Sequence, residues 1–366
     1  MAEQDIPLVL VTGAGASRDF GLSGAQLPLM GEWADLLVKS LMDTGIDFRV
    51  VTGLRPNMSG PEFEEALGRF LRNVEAFKQI KEFVPLTYRF TQRPARVSDA
   101  QMNDWYGNAT AQLDGIIDAI RGSVVDNFNY SKVAAEAAAD AYGKLIELLH
   151  VSPRDGVVYA TTNYDPLGEL ALSVLGAHPD TGDAADMKGI QRGPVDVANL
   201  LRGLPRYAPV LHLHGKVGWY RQENGLVETR EITRHDPLHG VPVIMLPDPQ
   251  KTYADNDVLA LLWSQFEQAL QRASKTLVVG HSLNDKLLVK TLRDNITDQK
   301  RLAITLLADE QGGVDQGELD RLRADFGTDP FYYPLRFGRS MYGNLDGLEK
   351  WGLNPLVPGI PVLKPS

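Results

Sequence analysis

The chain has 366 residues, of which 43% are hydrophobic and 23% are charged, a composition typical of a globular protein with a large core or about two domains. The net charge of −10 disfavours nucleic-acid binding by the average field, and the lack of cysteine excludes disulfides, thiol nucleophiles and cysteine zinc sites. No apolar stretch approaches the roughly 18 to 20 residues of a membrane span, and the start MAEQDIPLVLVTG lacks the pattern of a signal peptide. We therefore expect a cytoplasmic protein without membrane contact or direct nucleic-acid binding.

Short apolar runs rich in β-branched residues predict six strands. The first, LVLVT at residues 8–12, ends at a glycine and is typical of a buried parallel strand. The other five runs lie at residues 157–161, 210–213, 243–246, 276–280 and 302–307. Residues 259–273, between two of these runs, carry apolar side chains at helical spacing. Strands that alternate with helices indicate an α/β fold with a parallel sheet.

The stretch from about residue 32 to residue 150 differs, because its apolar residues recur at helical spacing and no strand pattern interrupts them. Phe63, Leu67 and Phe70 share one face of a predicted helix, and residues 131–149 are rich in helix formers. This pattern predicts a large helical insertion between strands one and two. The predicted domains are 1–31 with 151–326 for the sheet, 32–150 for the insertion, and 327–366 for a tail that packs on the core or contacts another subunit.

Two segments rich in glycine, proline and charge, residues 176–206 and 216–240, are predicted to be loops that line or cover a cleft. In the second segment, His235 and His239 have the four-residue spacing of metal ligands on a helix. Pro237 disfavours a helix there, and no further ligand completes a site. We therefore expect a loop and no metal.

A glycine-rich turn follows the first predicted strand. It consists of Gly13, Ala14, Gly15, Ala16 and Ser17. Such a turn lets backbone amides approach a phosphate, as in dinucleotide-binding folds, and the serine hydroxyl can bind a phosphate or cap a helix. Arg18 stands where a third glycine is expected, and the first acid about twenty residues on, Asp35, lies inside a helical segment. A dehydrogenase is therefore disfavoured, and a plain strand-to-helix turn stays open as the alternative.

Polar residues follow the second predicted strand in the turn TTNYD. Asn163 and Asp165 favour a turn because their side chains bond the local backbone, which is one interpretation of the pattern. However, ligands of open parallel sheets bind beyond the carboxyl ends of strands, where both this turn and residues 13–17 lie. The amide of Asn163 is thus a candidate to orient a water molecule or a ribose hydroxyl.

Two histidines alternate along the segment VLHLHGK. His212 and His214 should point to opposite faces of a strand. His214 ends the strand before Gly215 and is the better candidate for a cleft, whereas we expect His212 to be packed or on the surface. Imidazole titrates near neutral pH, so His214 suits the work of a general base.

Small polar residues also follow the fifth predicted strand, in the turn GHSLND. Beyond Gly280, the side chains of Ser282, Asn284 and Asp285 are candidates to bind a ribose or a phosphate, and a turn with a local cap is the alternative. Asp309 ends the last predicted strand and is a further candidate for ribose hydroxyls.

The order of GAGAS, TTNYD, LHG and GHSLND resembles the sirtuin-like NAD-binding family. In that family a GAG-x-S turn, a T-x-N-x-D turn, a histidine-glycine pair and a G-x-S turn follow in this order. The resemblance implies a Rossmann-like parallel sheet over most of residues 8–310 and covers neither the insertion nor the tail. Sirtuin deacylases carry a four-cysteine zinc module that this chain lacks. The chain therefore looks closer to the bacterial sirtuin-like effectors that hydrolyse NAD in anti-phage defence.

That resemblance implies an NAD+ hydrolase that releases nicotinamide and ADP-ribose without a metal, with Asn163 and His214 as the catalytic pair. The candidate NAD-contacting residues are Gly13, Ala14, Gly15, Ser17, Asp165, Gly215, Gly280, Ser282, Asn284, Asp285 and Asp309. In this arrangement the pyrophosphate lies on residues 13–17 and the adenosine lies toward residues 282–285. The open alternatives are a non-catalytic module that senses NAD or ADP-ribose and controls a partner protein, and a deacylase or ADP-ribosyltransferase.

The resemblance also implies regulation by assembly. Related effectors are paired with a hexameric translocase ATPase or a short Argonaute, and some form large homo-oligomers. We expect a homo-oligomer or such a partner for this chain. The aromatic tail would suit such contacts, and burial in the protein's own core is the alternative. The tail aromatics are Phe331, Tyr332, Tyr333 and Phe337.

Overall fold

Two sheets organise the computed structural model. It describes residues 5–22, 26–43, 52–90, 99–152, 154–183, 192–230, 234–248, 256–306, 315–326, 331–334, 348–349 and 351. Its strands are β1 (Leu8–Thr12), β2 (Val157–Thr161), β3 (Pro179–Asp180), β4 (Arg192–Pro194), β5 (Ala208–His212), β6 (Gly215–Arg221), β7 (Val227–Arg230), β8 (Val241–Ile244), β9 (Thr276–Val279), β10 (Leu302–Leu306) and β11 (Phe331–Pro334). The larger sheet has the order β11-β10-β9-β1-β2-β5-β3, and its neighbouring strands pair in parallel. The predicted α/β class with a parallel sheet is confirmed.

Within the described part of the stretch between β1 and β2, four α-helices precede the helix that covers the sheet. They are the single turn α1 (Ala14–Ser17), α2 (Met30–Asp43), α3 (Gly60–Phe90) and α4 (Asp99–Phe128). The last three pack around their own apolar cluster, in which Trp33, Phe63 and Val124 are fully buried. The predicted helical insertion is therefore confirmed. The same cluster includes Val217 and Ile244, so the insertion packs on strands β6 and β8 of the smaller sheet.

Helices cover both faces of the parallel sheet. They are α5 (Ala135–Leu148), α6 (Leu167–Val174), α7 (Asp257–Arg272), α8 (Lys286–Asn295) and α9 (Gln316–Phe326). Val9 and Val11 contact the layer formed by α7, α8 and α9, whereas Leu8 and Leu10 contact the layer of α5 and α6. Because alternate side chains of a strand point to opposite faces, both faces of β1 are apolar. This explains why the central strands are continuous apolar runs.

The smaller sheet corrects two predictions. Its order is β4-β7-β6-β8, and its pairs are antiparallel. The run at residues 243–246 was predicted for the parallel sheet, but its first residues belong to β8, which pairs with β6. The segments 176–206 and 216–240, predicted as loops, contain strands β3, β4, β6 and β7. Their charged residues looked like solvated loop residues, but several are buried in ion pairs, as Lys216 is.

The tail takes part in the fold. Residues 331–334 form the edge strand β11 beside β10, and Leu348 and Trp351 are buried in the core with α5 and α6. Phe337 lies outside the described residues, and contact of the tail with another subunit stays a prediction, as do the domain boundaries. No helix in the described ranges is long and apolar enough to cross a membrane.

Candidate functional site

The turns after β1, β2 and β9 meet at the carboxyl edge of the parallel sheet, where β1 lies between β9 and β2. This is the switch point at which open α/β sheets bind their ligands. A cavity of about 740 Å³ opens there. These turns contribute Ala14, Gly15, Ser17, Thr162, Asn163, Tyr164, Asp165, Gly280, His281, Ser282, Asn284 and Asp285 to its lining, and His214, which follows β5, joins them.

The helical insertion forms the opposite wall of this cavity. Residues 27–33 at the start of α2, residues 57–61 before α3, and Phe128 at the end of α4 all line it. Asp35 of α2 and Glu64 of α3 also belong to this wall. On the third side, Pro247, Thr305 of β10 and Glu318 of α9 complete the described lining. The cavity is therefore enclosed by both the sheet and the insertion, which is the geometry of a ligand pocket rather than a surface groove.

The glycines of the β1 turn are required by the turn after β9. A Cβ atom on Gly13 would lie 2.7 Å from His281 Cδ2, and one on Gly15 would lie 2.9 Å from the carbonyl oxygen of Gly280. Gly280 itself has φ +61°, a conformation that favours glycine. The Gly15 amide donates to the Gly280 carbonyl at 2.9 Å. The motif thus serves chain packing as well as any ligand, and the amide of Gly15 is already occupied.

Asn163 joins the turns of β1 and β2. It is 8% exposed, and its side-chain Nδ2 donates to Gly13 O at 2.9 Å and to Ser17 Oγ at 2.8 Å. Its backbone N–H donates to Thr161 Oγ1 at 3.1 Å. The amide lies at the cavity in a fixed orientation, so it is preorganised for binding or positioning.

Asp165 is buried beneath the same turn. Its Oδ1 accepts from the amide of Leu167 at 3.0 Å and from Ser17 Oγ at 3.4 Å. Burial raises the pKa of Asp165 to about 6, because these hydrogen bonds and the nearby His212 offset only part of the desolvation of the carboxylate. The carboxyl therefore changes charge near neutral pH.

His214 forms a dyad with Asp285. The distance from His214 Nε2 to Asp285 Oδ2 is 2.9 Å, and both side chains are nearly buried. Asp285 also begins helix α8, because its Oδ1 accepts from the amides of Leu287 and Leu288. A carboxylate that holds Nε2–H leaves Nδ1 as the basic nitrogen of the ring. Asp285 was predicted to contact the adenosine, which stays a prediction; in the structure its oxygens hold His214 and begin the helix.

His281 and Glu318 are among the cavity residues that were not singled out in the sequence. His281 accepts a hydrogen bond from the Leu283 amide on Nδ1 at 2.8 Å, so its Nε2 carries the proton in the neutral ring. Its position directly after β9 was the available signal. Glu318 lies one turn into α9, and burial raises its pKa. No sequence motif marked Glu318, because the order of the strands in the sheet, rather than a local pattern, brings α9 to the cavity.

The described lining is acidic. Its six carboxylates are Glu32, Asp35, Glu64, Asp165, Asp285 and Glu318, and lysine and arginine are absent from it. Glu32 is paired with Arg18 just outside the lining and Asp285 with His214, and the remaining carboxyl groups favour a ligand with a cationic group. Any phosphate would be bound by neutral donors such as amides, hydroxyls and imidazole.

His212 and His235 have structural partners. His212 is fully buried and lies 3.1 Å from Glu169 Oε2, which confirms that it is packed. Residues 237–239 form a short turn, and His235 pairs with Asp118 at 3.2 Å. The described residues contain no group of three or more side chains that could hold a metal ion.

Of the predicted site residues that the structure describes, all but two line the cavity. Gly13 and Gly215 are absent from the lining, and Asp309 lies outside the described residues. Gly215 has φ +79°, and a side chain on it would collide with the carbonyl oxygen of Val243 in β8. Gly215 is thus required where the chain reverses from β5 into β6.

The comparison with known protein families matches the part of the chain that carries the later turns of this site. No curated protein sequence matches the chain. The matched segment includes Asn163, His214 and the turn after β9, and it excludes the glycine turn after β1. Residues 157–331 match the family model described as a SIR2-like domain, which supports a sirtuin-like family for this chain.

Proposed function

We propose that the protein is an NAD+ hydrolase that cleaves the bond between nicotinamide and ribose. Proteins with a SIR2-like domain act on NAD, and the match at residues 157–331 supports NAD use here. One observation carries the hydrolase proposal: an oriented amide, Asn163, and a carboxylate-paired histidine, His214, line the same cavity at the switch point of the sheet.

Binding follows from the position of the three turns. The pyrophosphate lies along Ala14–Ser17, with a neutral donor from His281, and the adenosine extends toward Ser282 and Asn284. The nicotinamide riboside end lies at Asn163 and His214. The acidic lining supports this assignment, because nicotinamide in NAD+ is cationic and its charge is stabilised by carboxylates.

The reaction then needs little acid catalysis. Nicotinamide leaves as a neutral molecule with the electron pair of the glycosidic bond, and the ribose passes through an oxocarbenium-like state. Asn163 orients the water or the ribose hydroxyls through its amide. His214 takes the proton from the attacking water, and Asp285 stabilises the imidazolium that results. The products are nicotinamide and ADP-ribose.

We extend the proposal to the cell. An enzyme that destroys free NAD is toxic, so its natural use is depletion of NAD in response to a trigger, as in bacterial anti-phage defence. We propose control by assembly, either as a homo-oligomer or with a hexameric translocase ATPase or short Argonaute partner. Expression in bacteria would test the outcome: NAD should fall and growth should stop with the native chain and not with Asn163→Ala.

The direct test is chromatography of the products after incubation of the pure protein with NAD. We expect nicotinamide and ADP-ribose in equal amounts from the native protein. His214→Ala and Asn163→Ala should each lower turnover by a factor on the order of 10² or more. His178→Ala and Asn73→Ala, which change exposed residues outside the cavity, are the matched controls. Binding of NAD without products at any protein concentration would instead favour the sensing module.

A further inference from the structure

A buried network of charges lies behind the β2 turn. Lys216 of β6 is 1% exposed, and its Nζ donates to Glu169 Oε1 at 3.0 Å and to Asp183 Oδ2 at 2.8 Å. Burial lowers the pKa of Lys216, but the adjacent carboxylates outweigh that effect and raise it well above its usual value. The same attraction holds the pKa of Glu169 and of Asp183 below the usual range despite burial. The three groups are therefore ionised.

This network ends at the backbone of Asn163. The His212 ring lies between Glu169 and Asn163. Its Nε2 is 3.1 Å from Glu169 Oε2, and its Nδ1 is 3.4 Å from the backbone carbonyl oxygen of Asn163. A carboxylate and a carbonyl oxygen both accept hydrogen bonds. A ring nitrogen donates to the acceptor that it faces when it carries a proton, so the doubly protonated ring makes both contacts.

The network does not touch the cavity. Neither His212 nor Glu169, Lys216 or Asp183 belongs to its lining. A buried ion pair is also a poor source of stability, because desolvation of the charges offsets most of their attraction. Such a cluster does fix position, since each group has directional hydrogen bonds. The position it fixes here is that of the turn carrying Asn163.

We propose that His212 is a positioning residue of the site. Its Nδ1–H donates to the backbone carbonyl oxygen of Asn163 and holds that carbonyl in place. Glu169, anchored by Lys216, fixes the orientation of the imidazole ring. The inference rests on the proposed function for its effect on turnover, since Asn163 is taken as the residue that acts on NAD.

Two substitutions of His212 separate its two contacts. In His212→Asn the side-chain amide stands where Nδ1 was, so it can still donate to Asn163. In His212→Gln the amide stands where Nε2 was, so it keeps Glu169 and loses Asn163. Both variants remove the imidazole and its charge, and therefore each serves as the matched control for the other.

The chemical shift of the Asn163 backbone carbonyl carbon reports its contact with His212 directly. The sequence contains two Asn-Tyr pairs, at residues 129–130 and 163–164. Labelling asparagine carbonyls with ¹³C and tyrosine amides with ¹⁵N gives one correlation for each pair, and Asn163→Ala identifies the second by its loss. We expect the Asn163 signal to keep its native shift in His212→Asn and to move in His212→Gln, while the Asn129 signal stays fixed. The inference is overturned if the Asn163 signal is unchanged in both variants or moves equally in both.

Turnover gives the second readout. With NAD as substrate, His212→Gln should lower kcat on the order of 10-fold or more and leave the Kd for NAD unchanged, whereas His212→Asn should stay within about threefold of the native kcat. If His212→Gln instead loosened the whole site, the Kd for NAD would rise as well. If the native protein does not cleave NAD, the proposed function fails, and the carbonyl shifts still decide the positioning role.

A milder variant protects the test against misfolding. Tyr130→Phe removes only the hydroxyl that donates to Glu169 Oε1 at 2.9 Å. If both His212 variants fail to fold, Tyr130→Phe should still shift the Asn163 signal and lower kcat severalfold at constant Kd. An unchanged signal and an unchanged kcat in this folded variant would overturn the inference.

Discussion

Nδ2 of Asn163 donates to Ser17 Oγ at 2.8 Å and thereby links the turns after β1 and β2. Because Gly13 O takes the second N–H at 2.9 Å, both hydrogens of the amide are used within the protein. The side-chain atom of Asn163 that is left for a ligand is therefore its carbonyl oxygen Oδ1, which can accept from a water molecule or a ribose hydroxyl. The amide is held by the same turn on which the pyrophosphate is proposed to lie.

Ser17→Ala should show what this link contributes. The change leaves Asn163 Nδ2 with one protein partner and removes the hydroxyl near Asp165. We expect turnover of NAD to fall on the order of tenfold, because the amide gains rotational freedom, and stability to fall by about 1 kcal/mol. Product chromatography and urea unfolding measure the two effects. Ser264→Ala on the exposed side of α7 is the control, and turnover equal to the native value would contradict the link.

Asp285→Asn tests the dyad without removing the helix cap. The asparagine oxygen still accepts from the amides that begin α8, so we expect the unfolding free energy to change little. The imidazolium of His214 loses its negative partner, and kcat should fall by a factor on the order of 10². A variant that is as stable as the native protein and as active would show that the carboxylate charge plays no part. A large loss of stability would mean that the charge matters mainly to the fold.

The strands that the sequence predicted well are those buried on both faces. Runs such as LVLVT and TLVVG contain only residues that suit a parallel sheet, and they became β1 and β9. The smaller sheet was missed because β6, GKVGWYR, carries glycines and a lysine that are typical of a loop. Its lysine is buried against carboxylates from distant segments. No local pattern predicts such partners, and the run at residues 243–246 could not be assigned to the correct sheet without them.

The sequence likewise predicted one part of the site and missed another. Strand-end turns that carry Asn163 and His214 indicated a common edge, since parallel strands end on the same side. The dyad required more, because Asp285 reaches His214 only through the order of β9, β1, β2 and β5 in the sheet. The sequence around Asp285 favoured a local role as a helix cap. Asp285 does cap the helix, and it also contacts His214. Glu318 enters the cavity for the same reason and had no sequence signal.

Gly280→Ala should be far more damaging than another glycine substitution with positive φ. A Cβ atom on Gly280 would overlap the amide nitrogen of Ala16, so the β1 and β9 turns would have to separate. We expect a loss of more than about 3 kcal/mol from strain and displaced packing. Gly225 has φ +82° with nothing within 4 Å of its Cβ position, so Gly225→Ala should lose only about 1 kcal/mol. Similar urea midpoints for the two variants would contradict the packing of the turns.

Asp165 gives a pH dependence with a definite sign. Burial raises the pKa of Asp165 to about 6 in the folded protein from its ordinary value of 3.8, so the folded state favours the protonated carboxyl. The stability it contributes is present below pH 4 and is lost as the pH rises through 6. Asp165→Asn abolishes this loss, so its stability relative to the native protein should rise by up to about 3 kcal/mol between pH 4 and pH 8. Urea unfolding across this range measures the difference, and a constant difference would exclude the raised pKa.

Lys216→Met should destabilise the protein strongly although methionine fits the apolar part of the lysine. The change leaves Glu169 and Asp183 buried without their cation, and breaking such a pair from one side costs about 3–5 kcal/mol. Lys290→Met, which breaks an exposed pair with Asp294 on α8, should have no measurable effect. Adding Glu169→Gln and Asp183→Asn to Lys216→Met should recover part of the loss, because the unpaired charges are gone. Urea unfolding of the three proteins decides the matter: equal losses for Lys216→Met and the triple variant would mean that the lysine acts by packing rather than by charge.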